Sequence, residues 1–284
     1  MKIIKRKNYY YLAFNFRLEK KVVHREKYLG KDVPESIEAI KEKFMRECLE
    51  EWIFARILKI KKGFGAEWKK YPESYKRKFL IGLSVSFTYN TNAIEGSTIT
   101  LKETEELIME HISPNRPLRD VQETINHSKV FLEVFNEKRQ LSNEMLLEWH
   151  KEVFNDSKPD IAGVFREYNV RIGNYRAPDW QDVKNLMKEL VDFYRKNSLM
   201  NPAELAARMH YKFEKIHPFG DGNGRIGRLL ILYILKKGHY PILVIEKKKR
   251  KAYYNAISKT EHDFMLYFFR AYFKAHKEYL VEKA

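Results

Sequence analysis

The sequence predicts a mainly α-helical protein with an N-terminal β-hairpin arm and a second, shorter hairpin inside the helical part. Two observations carry that expectation. From Pro34 onward apolar residues recur at helical spacing over long windows, and strand-like alternation is confined to residues 1–31 and to the stretch from Phe165 to Ile172. At 284 residues the chain has room for one large domain or two ordinary ones, each with a real core.

The elements follow in order. Tyr9-Tyr11-Ala13 alternates with Tyr10-Leu12-Phe14, then Val22-Val23 and Tyr28-Leu29 follow a largely polar stretch from Arg17 to Lys21, so residues 1–31 read as a hairpin arm ending at Gly30. Helical patterns then run from Ile37 to Ile60, from Ser74 to about Glu95, and from Leu101 to Ile112. Thr100 with Glu103 three residues on is a capping-box signature for the last of these. Ser113-Pro114-Asn115-Arg116-Pro117 is the clearest break, which separates an N-terminal helical region, 34–112, from a core at 120–284. Further helices are expected at Asp120–Glu137, Ser142–Phe154, Pro178–Lys196, Pro202–Ile216, Gly224–Lys237 and Lys251–Lys283. Between them, Phe165 to Ile172 followed by Gly173-Asn174-Tyr175 reads as the short hairpin.

Composition excludes several classes. Aromatics at 14%, with 18 Tyr and 18 Phe, are too many for a disordered chain. One cysteine, Cys48, leaves no intrachain disulfide or cysteine-based zinc cluster; it suits a buried thiol and a cytoplasmic location. No stretch of about 18 apolar residues suggests a membrane span. The net charge is +16, of which residues 1–31 carry +8 (10 Lys or Arg against 2 Glu), and Lys247 to Lys251 add a further cluster. Non-specific nucleic-acid binding through these patches is one expectation, and a lysine-rich solvated surface is the other.

The chemistry concentrates between Ile216 and Arg228. A helix with an apolar stripe of Ala206, His210, Phe213 and His217 stops at Pro218, and another starts after Gly220, Gly222 and Gly224. A glycine-rich turn opening a helix presents unpaired N–H groups and a positive dipole end to an anion. An ordinary tight turn capped by Asp221 or Asn223 is the alternative, but Arg225 and Arg228 sit three apart in the first two turns, where positive charge opposes the dipole by roughly 0.3–1 kcal/mol each. That favours a phosphate chain between them. His217 is placed to act as a base on a hydroxyl that attacks phosphorus, and Asp221 either caps the helix or offers one carboxylate to Mg or Mn.

His217 to Arg228 resembles the HxFx(D/E)GNGRxxR signature of Fic-domain proteins at every fixed position, and the similarity extends over Val121 to Glu261. The resemblance implies a Fic-type helical bundle that moves AMP from ATP to a Ser, Thr or Tyr hydroxyl of a protein, itself included. It implies His217 as base, Asp221 as the magnesium ligand, Phe219 as a buried anchor, and Asn223 with the backbones of Gly222 and Gly224 on the phosphates. Arg225 and Arg228 would contact the β and γ groups. Doc-type kinases carry Lys where this chain has Gly224, so nucleotidyl transfer is preferred over phosphoryl transfer.

Three other segments fit the resemblance. Val164 to Tyr175 resembles the Fic flap, with Val170, Arg171 and Ile172 as the edge that aligns a target by strand addition. Lys251-Ala252-Tyr253-Tyr254 resembles the segment lining the adenine pocket, with Tyr254 as base contact or, alternatively, a core tyrosine. Thr91-Asn92-Ala93-Ile94-Glu95-Gly96 resembles the (S/T)xxxE(G/N) inhibitory motif, on a helix of about 88–96 that precedes the core. A carboxylate in a helix's last turn opposes the dipole, so Glu95 wants a cation, and Arg228 is the one the family supplies. The rival readings are a basic nucleic-acid-binding regulator with a vestigial Fic core, and a Fic enzyme with another nucleotide donor. A homodimer is compatible with the sequence.

Overall fold

The computed structural model describes residues 1–18 and 21–281. These form two compact units, one made of the described residues up to 63 with those from 268 to 281, and one of 64–267. The division falls within the region read as 34–112 and within the last helix.

The first unit opens with an antiparallel sheet of β1 (Lys2–Arg6), β2 (Tyr9–Leu18) and β3 (Lys21–Gly30), in the order β1-β2-β3. The expected hairpin is therefore present as β2–β3, and β1 is an addition to it. Its register pairs Ile4 with Tyr11 and Arg6 with Tyr9. Of the polar stretch from Arg17 to Lys21, residues 19 and 20 lie outside the described residues. Alternation in β2 turns Leu12, Phe14 and Phe16 inward, each at most 1% exposed. Helix α1 (Ile37–Leu49) contributes Phe44 and Cys48 to this unit's core and passes through a π turn, Glu50–Phe54, into α2 (Ala55–Lys70). Burial pushes the Cys48 thiol up to about 11. The helix runs ten residues beyond the expected end at Ile60 because Gly63 does not break it: a Cβ there would lie 2.6 Å from the Tyr279 ring, so glycine permits a close approach.

In the second unit α3 (Glu73–Ile94), α5 (Leu118–Asn136), α6 (Asn143–Phe154) and α8 (Pro202–Ile216) surround α9 (Asn223–Lys237). From Asn223 to Leu235 every residue of α9 except Gly224 is buried, as expected of a helix apolar all round. The capping box is formed: Glu103 N–H donates to Thr100 Oγ1 (3.2 Å) and Thr100 N–H to Glu103 Oε2 (2.8 Å), opening α4 (Leu101–Glu105). The single helix expected at Lys251–Lys283 is instead α10 (Arg250–Ile257) and α11 (Glu261–Ala275). Thr260 starts the second, accepting from Asp263 N–H (3.2 Å) while its hydroxyl donates to the Asp263 carboxylate (2.8 Å). The end of the expected helix, residues 282–283, lies outside the described residues. Helix α7 (Val183–Lys196) follows a 3₁₀ turn at Trp180–Asp182. No helix among the described residues is long and apolar enough to cross a membrane.

Candidate active site

The site is built where α8 ends. Pro218 cannot continue the helix, and His217 takes φ +51, a left-handed conformation costly for a non-glycine residue. Buried Arg166 holds it there. Its guanidinium donates to the carbonyls of His217 (2.8 Å), Tyr168 (2.8 Å) and Pro178 (2.7 Å), and its own N–H donates to Pro218 (2.9 Å). The imidazole of His217 keeps a buried Nδ1 without a hydrogen-bond partner. Burial lowers its pKa to about 4, so it is neutral at pH 7 and available to take a proton.

The turn after His217 is fixed from inside. Phe219 is fully buried and stacks on His150, ring centroids 3.9 Å apart. His150 Nδ1 accepts from Gly163 N–H (2.9 Å), so its Nε2 carries the proton and donates to the Asp221 carbonyl (3.0 Å). Asn223 exchanges two hydrogen bonds with the Phe219 backbone, both 2.9 Å. The amide expected to hold phosphate is thus committed to closing the turn, which leaves the backbone N–H groups of α9's first turn to face an anion. Gly222 (φ +79) starts α9 with no side-chain cap. A Cβ at Gly222 would lie 2.3 Å from the Phe154 ring, and one at Gly224 would lie 2.2 Å from Glu95 Oε1. The carboxylate of Glu95 therefore stands over the glycine turn where a phosphate was expected.

Arg228 explains why it stands there. The guanidinium, in a residue only 2% exposed, donates to Glu95 Oε1 (2.6 Å), to the Thr91 hydroxyl, to the Thr91 carbonyl (3.2 Å) and to the Tyr253 hydroxyl (3.2 Å). Tyr254 donates to the other oxygen of Glu95 (3.2 Å), and Gly96 supplies the φ of +102 that ends α3 behind it. Burial alone would raise the pKa of Glu95; the charge and hydrogen bond of Arg228, together with the Arg225 charge and the Tyr254 hydroxyl, outweigh it and hold the carboxyl below its ordinary value.

The other two charged groups are engaged in the same way. Arg225 pairs with buried Glu123 and stacks on Phe154, 4.3 Å to the ring centroid. Asp221 accepts from Lys158 Nζ at Oδ2 (2.6 Å) and from Gly222 N–H at Oδ1 (2.6 Å), with Arg225 3.6 Å away. Burial raises the pKa of Asp221, but Arg225 and Lys158 bring it below the usual carboxylate value. The Asp221 side chain is 50% exposed, and no group of three or more metal-ligating side chains exists among the described residues. One accessible carboxylate is the donor set that suits magnesium shared with phosphate oxygens, so Asp221 fits that ion.

The structure thus brings Thr91, Glu95, Gly96, Gly224, Arg228 and Tyr254 to one place, and Asp221 and Arg225 to an adjoining one. The flap is smaller than expected. Only β4 (Arg171–Ile172) and β5 (Tyr175–Arg176) pair, joined through Gly173 at φ +58. Residues 165–170 leave the strand path because Arg166 turns inward and Phe165 packs on Phe219, at 5.7 Å between centroids. Val170 lies just before β4, and Arg171 and Ile172 are exposed, with no strand other than β5 paired to them among the described residues.

Glu123, Lys158, Arg166, Glu214 and Tyr253 were not singled out from the sequence. Glu214, with a side chain 9% exposed, has Oε1 unpartnered and 4.0 Å from His210 Nε2; burial pushes its pKa up to about 8. A carboxyl with a raised folded-state pKa stabilises fully below its unfolded value of 4.5 and loses that contribution as pH rises through 8. Glu214→Gln is therefore expected to stabilise the protein by about 3 kcal/mol at pH 7, with the gain shrinking towards pH 5. Urea unfolding at the two pH values checks this, and an equal effect at both would rule out a protonated Glu214.

Residues 140–235 match the Fic/DOC family model. The chain is 31% identical over 179 residues to protein adenylyltransferase fic-1 of Caenorhabditis elegans, covering 60% of this chain and 35% of that protein. It is 32% identical over 173 residues to protein adenylyltransferase Fic of Drosophila ananassae, covering 59% and 35%. It thus spans about a third of the length of these curated relatives. Among solved structures, a Fic domain containing signaling protein from Bacteroides thetaiotaomicron superposes with a TM-score of 0.67 at 26% identity, over 79% of this chain and 99% of that one. A fragment of C. elegans Fic-1 shares the fold at a TM-score of 0.68 and 24% identity, over 89% and 78%. Residues 140–235, which match the Fic/DOC family model, hold α6, α8, the glycine turn and most of α9.

Proposed function

We propose that the chain is a protein adenylyltransferase, moving AMP from ATP to a protein hydroxyl, and that Glu95 holds it in an inhibited state. One observation carries this reading: the carboxylate of Glu95 occupies an anion site made of Arg228 and the glycine start of α9, next to the neutral imidazole of His217. A cation buried beside a glycine turn, neutralised by a carboxylate of the chain itself, is an arrangement that a phosphate chain can enter by replacing that carboxylate.

With Glu95 displaced, Arg228 and the first backbone N–H groups of α9 would hold the terminal phosphates. The flap edge at Val170, Arg171 and Ile172 would align a target segment by main-chain hydrogen bonds. His217 would take the proton of the target hydroxyl as its oxygen bonds to the α-phosphorus and the bond to the β-phosphate breaks, releasing pyrophosphate. Magnesium, when held by Asp221 and the phosphates, supplies charge compensation for that leaving group. Tyr254 would meet the base after releasing Glu95, and removal of AMP by the same site is compatible with the arrangement. The relatives named protein adenylyltransferase support the same reaction.

Incubation of Glu95→Gly protein with ATP labelled at the α- or the γ-phosphorus tests it. Label is expected on protein from the α position alone. Transfer from the γ position would instead mean phosphorylation.

A further inference from the structure

Asp221 and Arg225 are not idle in the inhibited state; each is held by one member of a second pair. Lys158, in the turn after α6, has its ammonium 2.6 Å from Asp221 Oδ2 and 2.9 Å from Glu123 Oε1. Glu123, on α5 and 6% exposed, spans between that ammonium and Arg225, and also accepts from the Ser157 hydroxyl (2.9 Å). Two acids and two bases thus form a closed, neutral square: Asp221, Lys158, Glu123 and Arg225. Two carboxylate oxygens converge on the Lys158 ammonium much as they would on a divalent cation.

We propose that Lys158 is a resident cation at the Asp221 site and that, with Glu123, it forms an exchange pair for Mg-ATP binding. The proposal rests on the adenylyltransferase reading of the site. On nucleotide binding Asp221 passes from Lys158 to the metal ion, and Arg225 passes from Glu123 to a phosphate oxygen. Glu123 and Lys158, already 2.9 Å apart, are left paired with each other. No buried charge is stranded at any stage, which matters because an unpartnered ion among buried groups costs several kcal/mol. The geometry distinguishes this from a static ion-pair cluster. Asp221 is half exposed while Glu123 and Arg225 are buried, so the member of the square that must meet an incoming ion is the one solvent already reaches. Lys158 acts as a positioning residue: it keeps the Asp221 carboxylate aimed, and it sets how much metal is needed to take that carboxylate over.

Manganese binding by electron paramagnetic resonance tests the exchange without reference to activity. Lys158→Met in the full chain, without nucleotide, is expected to bind Mn about tenfold more tightly than wild type, since two carboxylates lose their fixed cation. Lys158→Arg is expected to restore weak binding. Unchanged affinity in Lys158→Met, with Asp221→Asn still abolishing Mn binding, overturns the exchange and leaves the assignment of Asp221 standing. Equal Mn binding by wild type and Asp221→Asn overturns the metal assignment itself. Should Lys158→Met fail to fold, the ammonium resonance of Lys158 in wild-type protein gives the same decision. It is expected to shift with magnesium plus a non-hydrolysable ATP analogue and to stay in place with that analogue in EDTA; a resonance that does not move in either overturns the proposal.

Discussion

Glu95→Gly is expected to raise AMP transfer roughly ten- to a hundredfold, the gain matching one charge-assisted hydrogen bond of about 1.5–3 kcal/mol that ATP no longer has to break. The bond in question is Arg228 to Glu95 Oε1, at 2.6 Å with the guanidinium almost fully buried. Arg228 cannot serve Glu95 and a γ-phosphate together, and the carboxylate occupies the approach to Gly224. Its removal also withdraws a negative charge that opposes the nucleotide's own. Arg228 keeps its bonds to Thr91 and Tyr253 in the variant, so its position should survive. Glu214 is expected to become the compensating charge: the field of Glu95 raises its pKa and that of Arg228 lowers it, so losing Glu95 favours the ionised form. Glu214→Gln should accordingly stabilise the wild type more than the Glu95→Gly protein.

His217→Ala is expected to lower transfer by about 10²–10⁴-fold while leaving ATP affinity nearly unchanged, because a base acts on the attacking hydroxyl and not on the bound nucleotide. The fold should tolerate the change. The loop is held by Arg166 through the His217 carbonyl and by the Asn223 amide on Phe219, and neither depends on the imidazole. Single-turnover rates with calorimetric ATP binding separate the two quantities. A variant that retains wild-type rates would remove His217 from the reaction, and one that loses ATP binding would make it a binding residue.

Much of the site was legible because its signals are local. Pro218, the alternating glycines and the helix-opposing arginines lie within thirteen residues, and Thr100 with Glu103 lies within one turn. What escaped was long-range or hidden by a stronger neighbour. Glu123 meets Arg225 across 102 positions and Lys158 meets Asp221 across 63, and no spacing rule marks either acid or base beforehand. Arg166 sits in a stretch that alternates like a strand, so its inward turn to four carbonyls contradicts its local pattern. β1 is five residues with only Ile3 and Ile4 apolar, too short to show a period. The break at Thr260 lies inside an amphipathic run whose periodicity continues on both sides, and a hydroxyl cap is enough to divide it.

The most direct test of autoinhibited AMP transfer is intact-protein mass spectrometry of wild type, Glu95→Gly and the Glu95→Gly/Arg228→Ala double variant after incubation with ATP and magnesium. An AMP adduct on a Ser, Thr or Tyr hydroxyl is predicted to accumulate in Glu95→Gly far above wild type, and to fall back in the double variant, where the phosphate's partner is gone. Equal adduct levels in wild type and Glu95→Gly would contradict inhibition by Glu95 and reduce Thr91 to Gly96 to the end of a helix.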